Sequence, residues 1–399
     1  MARKLGILIA GASGSIASTT IAALDLMQQE IKPKIGMISE ALSVKCRSAN
    51  SSIELPLMSN IHISGWDLCS EDLRSSLERH EVLDKYDIHQ ISPSVLNQKP
   101  MLAPQDNEGI DVSETSCFGY RIEKLCKDIR HFRDKHQLDD VVVINCISTQ
   151  ETPSFSKYYE TEEEFQYACQ NKLPCITPSM EYAYAAVLES AAFVNFTPNI
   201  AVVPAIVEMS KKYKTPLAGR DGKTGQTLLK TAIAPLLKLR ELIVQGWYSI
   251  NILGNEDGKT LSEPASNQTK VLSKESCLEH ILDYPVEDHQ VHIHYYKPRG
   301  DNKESWDNID VKGFLGYPMQ LKINFLAKDS ILAAPLILDL ARLMSVAIQR
   351  EEYGMLEFLS VFFKYPEVPS SSVLVHDVFL QRNLLDKWVS LWLVTDKNG

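Results

Sequence analysis

The chain has 399 residues, enough for two or three domains with more than one sizeable core. Its 44% apolar and 23% charged residues exclude a disordered or fibrous protein, and no uncharged run approaches the roughly 18 residues of a membrane span. A formal net charge of -10 argues against nucleic acid as a partner, so an anionic ligand would need a local cluster of basic groups.

The cysteines and the N-terminal segment indicate the compartment. The eight cysteines contain no C-x-x-C pair. The N-terminal segment MARKLGILIAGASG predicts a first strand, because its apolar run breaks into glycines without a signal cleavage pattern. We therefore expect reduced thiols in a cytoplasmic protein.

A strand, a glycine turn and a helix open the chain, the order typical of a dinucleotide-binding fold. Residues 5–10 (LGILIA) predict a buried strand, and residues 18–29 predict a helix. The turn between them reads G-x-x-G-x-x-A, whereas the usual fingerprint is G-x-G-x-x-G/A. Alternatively, its glycines only form a tight turn. The candidate cofactor contacts here are Gly11, Ala12, Ser13, Gly14, Ser15 and Ile16.

Two further strands are predicted to end near the same cofactor. A second strand at residues 34–39 (KIGMIS) ends at Glu40, whose carboxylate would accept hydrogen bonds from the adenosine ribose of NAD; alternatively, Glu40 only begins a loop. The continuous Val/Ile run at residues 140–148 (DVVVINCIS) is typical of a strand buried in a parallel sheet. Since ligands bind at the carboxyl ends of such strands, further candidate contacts are Asn145, Ser148 and Thr149.

A polar, glycine-containing turn runs into an apolar-striped helix at residues 216–231 (PLAGRDGKTGQTLLKT). It is not a Walker A loop, because Leu217 occupies the position of the first glycine. The first-turn N–H groups and the helix dipole nevertheless favour a phosphate. The candidate donors are the backbone N–H groups of Thr224, Gly225, Gln226 and Thr227. The alternative is that Thr224 only caps the helix.

The pattern changes after about residue 240. Strands predicted within residues 241–254, 291–297 and 312–327 indicate a second, open and largely antiparallel sheet. The apolar helix at residues 329–352 then restores the α/β pattern. We therefore predict an α/β fold: a Rossmann-type, doubly wound parallel sheet with an inserted α+β domain, to which the C-terminal residues return.

Several lysines stand in or beside the inserted sheet. Lys270 and Lys274 would share one face of a helix, and Lys364 lies in the apolar segment SVFFKYP. Singly, each fits a solvated or snorkelling side chain. Together with a nicotinamide, the lysines fit an oxidation followed by proton transfer. Oxidation of an alcohol to a ketone acidifies the neighbouring C–H, and ammonium groups stabilise the resulting enolate. The ten histidines suggest no metal site.

Several segments resemble the signature segments of the myo-inositol-1-phosphate synthase family, most closely its short archaeal-type members. They are GRDGKTGQTLLKT, INILGNEDGKTLS, KVLSK, DNK, KGFLG and DSILAAPLILDLARL, and the likeness covers nearly the whole chain. The resemblance implies an NAD-dependent isomerase that converts D-glucose 6-phosphate to 1D-myo-inositol 3-phosphate, the first step of inositol and inositol phospholipid synthesis. In that family, NAD oxidises C5 of the sugar, C6 loses a proton and attacks C1, and the same NADH then reduces the ketone.

The resemblance also implies roles for single residues. Lys270, Lys274, Lys303 and Lys364 match the four active-site lysines. Lys274 and Lys303 would hold the phosphate with the turn, and Lys270 and Lys364 would serve at the reacting carbons. The further polar positions that match the family are Asp221, Asn251, Asp257 and Asp329. Of these, Asp221 and Asp329 would also face the cofactor. Asp329 has a simpler alternative role as a helix N-cap.

The implied organisation is a cytosolic homotetramer. Residues 1–228 and 332–399 would form the NAD-binding domain, and residues 229–331 the catalytic and tetramerisation domain. Whether a divalent cation or ammonium assists the aldol step stays open. So do two other functions: a relative that cyclises another sugar phosphate such as fructose 6-phosphate, and a non-catalytic NAD- or sugar-phosphate-binding regulator. The four lysines argue against the regulator.

Overall fold

The computed structural model describes residues 3–48, 54–105, 119–255 and 278–394. The strands are β1 (Leu5–Ala10), β2 (Ile61–Asp67), β3 (Met101–Leu102), β4 (Asp140–Asn145), β5 (Ala192–Asn195), β6 (Pro216–Gly219), β7 (Ile243–Leu253), β8 (Asp288–Tyr295), β9 (Asn302–Lys312), β10 (Pro318–Lys328) and β11 (Gly354–Met355). The helices are α1 (Ser15–Gln28), α2 (Ile38–Ser48), α3 (Leu73–His80), α4 (Lys85–Gln90), α5 (Pro93–Leu96), α6 (Tyr120–His136), α7 (Glu162–Gln170), α8 (Pro178–Leu188), α9 (Pro204–Lys212), α10 (Gly225–Leu239), α11 (Asp329–Gln349) and α12 (Val378–Val394).

Seven strands form a parallel sheet in the order β11-β6-β5-β4-β1-β2-β3. Alternate side chains of β1 enter different cores: Ile7 packs with α11 and α12 on one face, and Leu8 packs with α6 and α8 on the other. Full burial of such a side chain is worth about 2 kcal/mol. The predicted doubly wound α/β fold is confirmed, and β11 joins this sheet after the chain has left the second one.

The second sheet has the order β10-β9-β7-β8. Its β10/β9 and β9/β7 pairs are antiparallel, whereas β7 and β8 are parallel. Ala234 and Leu237 of α10 pack against Trp247 and Ile309 on the inner face of this sheet. The helix that begins at the predicted phosphate turn therefore covers the second sheet while its N-terminus faces the first.

The strand predicted at residues 34–39 is wrong. Helix α2 begins at Ile38, and the Asp339 carboxylate accepts hydrogen bonds from the Ile38 and Ser39 backbone N–H groups at 2.8 and 2.9 Å. A carboxylate at the start of a helix stabilises it through the helix dipole and the open N–H groups. The second strand of the sheet is instead β2, which ends at Asp67.

Helix α11 is the central helix of the first domain. By length and composition it could cross a bilayer, but 72% of its most apolar window is buried inside the protein. It contacts α1, and its side chains Ile337, Leu338 and Leu340 are fully buried. These are the features of a core helix.

Candidate active site

A cleft of about 780 Å³ lies at the carboxyl ends of the central parallel strands. Its lining includes most of the residues predicted to contact the cofactor, namely Gly11, Ser13, Gly14, Ser15, Ile16, Ser148 and Thr149. Ala12 is buried outside that lining. Asn145 is also fully buried, and its amide donates to Asn195 and Thr197 at 3.1 and 3.3 Å.

The turn between β1 and α1 is built for a close approach of backbone and ligand. Gly11 has φ 84°, and a Cβ there would lie 2.9 Å from the Cys146 carbonyl oxygen. Gly14 occupies the N-cap of α1, which has no side-chain cap and no acidic residue in its first turn. The open N–H groups and the helix dipole therefore favour an anion such as a diphosphate.

Asp67, and not Glu40, is the carboxylate at the end of the second strand. Asp67 lines the cleft, and its Oδ2 accepts from the Ser13 N–H at 2.8 Å. Glu40 lies in α2, outside the cleft lining, and its carboxylate accepts from the Arg342 guanidinium at 2.6 Å. The pattern of residues 34–39 predicts a strand that ends at Glu40, whereas helix α2 begins at Ile38.

The cofactor turn is also held through the Ser13 carbonyl oxygen. This oxygen accepts from Ser76 Oγ at 2.7 Å and Arg79 Nη2 at 3.0 Å, and His80 Nε2 lies 2.9 Å away. Burial lowers the pKa of His80, so at neutral pH its imidazole is uncharged and Nε2 carries the donated hydrogen. Three donors on one oxygen fix the turn firmly.

A second cavity of about 100 Å³ adjoins the cleft and shares Ile16, Cys146, Ile147 and Thr149 with it. It is lined by the predicted site residues Asp221, Thr224, Lys303, Asp329 and Lys364. Lys364 Nζ lies 2.9 Å from Asp221 Oδ1, and Lys303 Nζ lies 3.5 Å from Asp329 Oδ2. Two ammonium–carboxylate pairs thus surround one small cavity that opens toward the cofactor cleft.

The C-terminal part of the chain brings Lys364 to this cavity through backbone pairing. The Lys364 N–H donates to the Asp221 carbonyl at 2.7 Å, and the Lys223 N–H donates to the Phe362 carbonyl at 2.7 Å. Gly222 forms an isolated antiparallel bridge with Phe363. The predicted phosphate turn and the segment around Lys364 therefore form one unit.

Thr224 is the N-cap of α10, but its side chain makes no capping hydrogen bond. Its Oγ1 donates instead to Asp329 Oδ1 at 2.9 Å. The simpler interpretation of Thr224 as only a cap is therefore wrong, and the first-turn N–H groups are not capped by a side chain. Asp329 is not a cap either, because Lys328 is the N-cap of α11 and the Asp301 carboxylate accepts from the Ser330 N–H at 3.0 Å.

Asn251 and Gln226 belong to a buried polar network below the turn. Asn251 Nδ2 donates to Gln226 Oε1 at 2.6 Å, and Gln226 Nε2 donates to Asp307 Oδ2 at 3.2 Å. Asp307 is not among the site residues predicted from the sequence. Asp307 is an acidic residue in a polar segment, residues 302–312, whose pattern does not predict a strand. An acidic residue in such a segment does not by itself indicate a buried site.

Three predicted site residues, Asp257, Lys270 and Lys274, lie outside the described residues. Within the described part of the chain, no group of three or more His, Cys, Asp or Glu side chains is placed to hold a metal ion. Two lysines close in sequence to the turn have other partners: Lys223 Nζ contacts Gln381 Oε1, and Lys230 Nζ lies 2.7 Å from His289 Nε2.

Residues 5–390 match the family described as myo-inositol-1-phosphate synthase. Inositol-3-phosphate synthase 1 of Bacteroides thetaiotaomicron is 36% identical over 398 residues, covering 95% of this chain and 93% of the relative. Among solved structures, inositol-3-phosphate synthase of Caenorhabditis elegans has a TM-score of 0.86 at 24% identity and covers 98% of this chain and 86% of its own.

A myo-inositol-1-phosphate synthase-related protein of Thermotoga maritima has a TM-score of 0.74 at 23% identity, covering 97% of this chain and 98% of its own. At these identities the two structures support the fold alone. The match over residues 5–390 and the bacterial relative carry the family assignment.

Proposed function

The chain belongs to the myo-inositol-1-phosphate synthase family, and from this premise we propose that it converts D-glucose 6-phosphate to 1D-myo-inositol 3-phosphate with NAD as a recycled cofactor. The observation that carries the proposal is the pair of ion pairs, Lys364–Asp221 and Lys303–Asp329, around a cavity that adjoins the larger cleft. A hydride acceptor and ammonium groups facing one sugar are what an oxidation followed by an aldol closure requires.

The residues of the cleft fit NAD. Its volume, the open N-terminus of α1 and the close-approach glycine Gly11 suit the diphosphate, and Asp67 is placed for the ribose hydroxyls. When bound, NAD supplies the hydride acceptor and later the hydride donor at its nicotinamide ring. Asp329 lines the second cavity, which adjoins the cleft, and would lie between the cofactor and the sugar.

The second cavity supplies binding and proton transfer. Lys303 and the N–H groups of the first turn of α10 would bind the phosphate, with Lys274 from outside the described residues. The phosphate fixes the sugar so that its C5 and C6 face Lys364. The Lys364 ammonium, hydrogen-bonded to Asp221, would stabilise the oxyanion formed when C6 loses its proton and donate a proton afterwards. Lys270 would serve the same carbons.

The supporting assay identifies the product directly. The protein is incubated with NAD and either D-glucose 6-phosphate or fructose 6-phosphate, and the product is identified by NMR. We expect an inositol phosphate from glucose 6-phosphate with no net accumulation of NADH. A different carbocycle from fructose 6-phosphate would favour the alternative function. The absence of any product with either sugar, in protein that binds NAD, would favour the regulator.

We also propose the division into an NAD-binding domain (residues 1–228 and 332–399) and a catalytic, tetramerising domain (residues 229–331). The return of β11 to the parallel sheet supports this division.

Free thiols support a cytoplasmic location. The free cysteines among the described residues are Cys69, Cys126, Cys146, Cys169 and Cys175.

A chelator titration of the assay would decide whether a divalent cation assists the aldol step. Omission of ammonium would test that ion.

A further inference from the structure

Asp307 is a buried carboxylate under the proposed substrate site. It is 3% exposed and lies on β9, on the inner face of the second sheet. It accepts from Trp247 Nε1 at 2.8 Å, Ser249 Oγ at 2.7 Å and Gln226 Nε2 at 3.2 Å. These three donors compensate the burial of the carboxylate, and the loss of any one of them would leave it less well satisfied.

The Asp307 carboxylate determines the orientation of the side-chain amides of Gln226 and Asn251. An ionised carboxylate only accepts hydrogen bonds, so the Gln226 amide must turn its NH₂ group toward Asp307. Gln226 Oε1 then faces Asn251 and accepts from Nδ2 at 2.6 Å. The remaining end of Asn251 is its Oδ1, which is an acceptor.

That oxygen is a buried acceptor close to the second cavity, although Asn251 itself is not part of the cavity lining. Asn251 is 1% exposed, and its Oδ1 has no hydrogen-bond partner among the described residues. Asn251 lies two residues before Leu253 on the same face of β7, and Leu253 lines the second cavity with Lys303. An unsatisfied buried acceptor destabilises the protein, and a donor from a bound molecule would remove that cost.

Gln226 also belongs to the first turn of α10. It follows the N-cap Thr224 and the first helical residue Gly225, so its backbone N–H is one of the donors predicted for the phosphate. Its side chain donates to Asp307 and accepts from Asn251, and these two hydrogen bonds hold the residue against the second sheet. Asp307 can thus influence the phosphate donors and the acceptor end of Asn251 together.

We propose that Asp307 is a positioning residue for the sugar phosphate: through Gln226 it makes Asn251 present an oxygen to a substrate hydroxyl, and it fixes the first turn of α10 under the phosphate. The proposal rests on the proposed function, because it assigns the ligand as a sugar phosphate. Asp307 touches neither the sugar nor the cofactor. Its effect reaches the substrate through the two amides.

Asp307→Asn is the informative substitution, because the hydrogen bonds can survive with reversed direction. The new NH₂ group donates to Gln226 Oε1, Gln226 Nε2 donates to Asn251 Oδ1, and Asn251 then presents its NH₂ group to the substrate. We expect a melting temperature close to that of the wild type. We expect the dissociation constant of glucose 6-phosphate to rise about 10-fold, or about 1.4 kcal/mol.

The double variant Asn251→Asp/Asp307→Asn restores the oxygen. The carboxylate now stands at position 251, accepts from Gln226 Nε2 and presents its second oxygen to the sugar, while the net charge equals that of the wild type. We expect it to recover most of the lost affinity. Asn251→Asp alone places a carboxylate at both ends of the Gln226 side chain. Gln226 Oε1 then loses its donor, so one hydrogen bond is lost and the affinity for glucose 6-phosphate falls further.

The measurement is calorimetric titration of glucose 6-phosphate into the NADH-bound protein, which binds substrate without turnover. NAD affinity and melting temperature are recorded for each variant. An unchanged dissociation constant in Asp307→Asn, or a loss that the double variant does not recover, overturns the proposal. A parallel loss of NAD affinity also overturns it, because it indicates a general structural defect.

A further variant covers the case in which Asp307→Asn does not fold. Gln226→Met interrupts the same network, and we expect the same 10-fold weakening with NAD affinity retained; unchanged sugar-phosphate binding overturns the proposal. Binding does not require turnover. Wild-type protein that binds glucose 6-phosphate but forms no product therefore contradicts the proposed function while the role of Asp307 is still tested.

Discussion

Lys364 is held 2.9 Å from Asp221 at the edge of the second cavity. Its side chain is 16% exposed, so the ammonium is largely removed from water. We expect Lys364→Ala to lower kcat at least about 100-fold, because general acid–base groups contribute about 10² to 10⁴. NAD affinity should change little. Product formation measured by NMR and NAD binding measured by fluorescence check the two halves of this prediction.

A matched control for Lys364→Ala is Lys211→Ala. Lys211 is 59% exposed and pairs only with the surface Glu208 in the described contacts. Its loss should leave turnover and NAD affinity unchanged, since exposed ion pairs contribute about 0–1 kcal/mol. If Lys364→Ala retains wild-type turnover, Lys364 is not part of the chemistry.

Asp67 should determine the choice between NAD and NADP. Its carboxylate lies in the cleft at a strand end, where the ribose 2′-phosphate of NADP would meet a like charge. Asp67→Asn removes that charge and keeps an oxygen for the Ser13 N–H. We expect the preference for NAD to fall about 10-fold, a change of about 1.4 kcal/mol, as measured by titration with both cofactors.

Glu40→Gln is the control for Asp67→Asn. Glu40 accepts a hydrogen bond from Arg342 and does not line the cleft, so its substitution should leave the cofactor preference unaltered. If Glu40→Gln changes the preference and Asp67→Asn does not, the carboxylate at the end of β2 has been assigned wrongly.

Among the elements, those with strong local patterns were predictable and those set by distant contacts were not. β1, β4, α1 and α11 follow from apolar runs and periodicity in the sequence. Helix α2 is capped by Asp339, about 300 residues away, and no local signal records that contact. β9 carries mixed polar residues because its inner face holds the buried Asp307 network, so its strand pattern is obscured.

The site shows the same division. Sequence resemblance placed Lys303, Lys364, Asp221 and Asp329 together, and the structure brings these four around one cavity. It did not reveal Asp67, which required the register of β2 beside β1. Hydrogen bonds between distant segments, such as Lys364 N–H to the Asp221 carbonyl, depend on the completed fold.

The proposed phosphate turn requires a glycine at position 222 for packing. A Cβ there would lie 2.2 Å from Phe196 Cζ, too close for any side chain. We expect Gly222→Ala to shift the turn, to destabilise the protein by about 1–3 kcal/mol and to raise the KM for the sugar phosphate. NAD affinity should be retained, because the turn proposed to bind the cofactor lies between β1 and α1, away from Gly222. Thermal unfolding and initial-rate kinetics measure the effects.

Gly246→Ala is a control on β7. Its added Cβ would come no closer than 3.4 Å to the Asp288 carbonyl oxygen, an ordinary contact. It should leave the KM unchanged. An equal rise of KM in both variants would mean that the effect of Gly222→Ala comes from general destabilisation and not from the position of the turn.

At the scale of the whole molecule, the site depends on three separate parts of the chain. The cofactor turn comes from the N-terminal strand and helix, Lys303 comes from the second sheet, and Lys364 follows β11. Helix α11 spans the arrangement: Asp329 lies at its N-terminus, in the cavity, and its buried face packs on α1. The second sheet therefore lines the proposed substrate site with its inner face and leaves its outer face available.

That outer face carries exposed apolar side chains on adjacent strands. Tyr248, Trp306 and Leu326 lie on the same side of the sheet and are 42%, 46% and 55% exposed. Clusters of this kind mark interfaces, and we expect it to join copies of the chain in the proposed homotetramer. Trp306→Glu should give a smaller species by size-exclusion chromatography with light scattering, because it places a charge in the contact. Tyr86→Glu on α4, where Tyr86 is 74% exposed, should leave the mass unchanged. A monomeric wild-type protein, or an unaltered tetramer in Trp306→Glu, would contradict this assignment of the face.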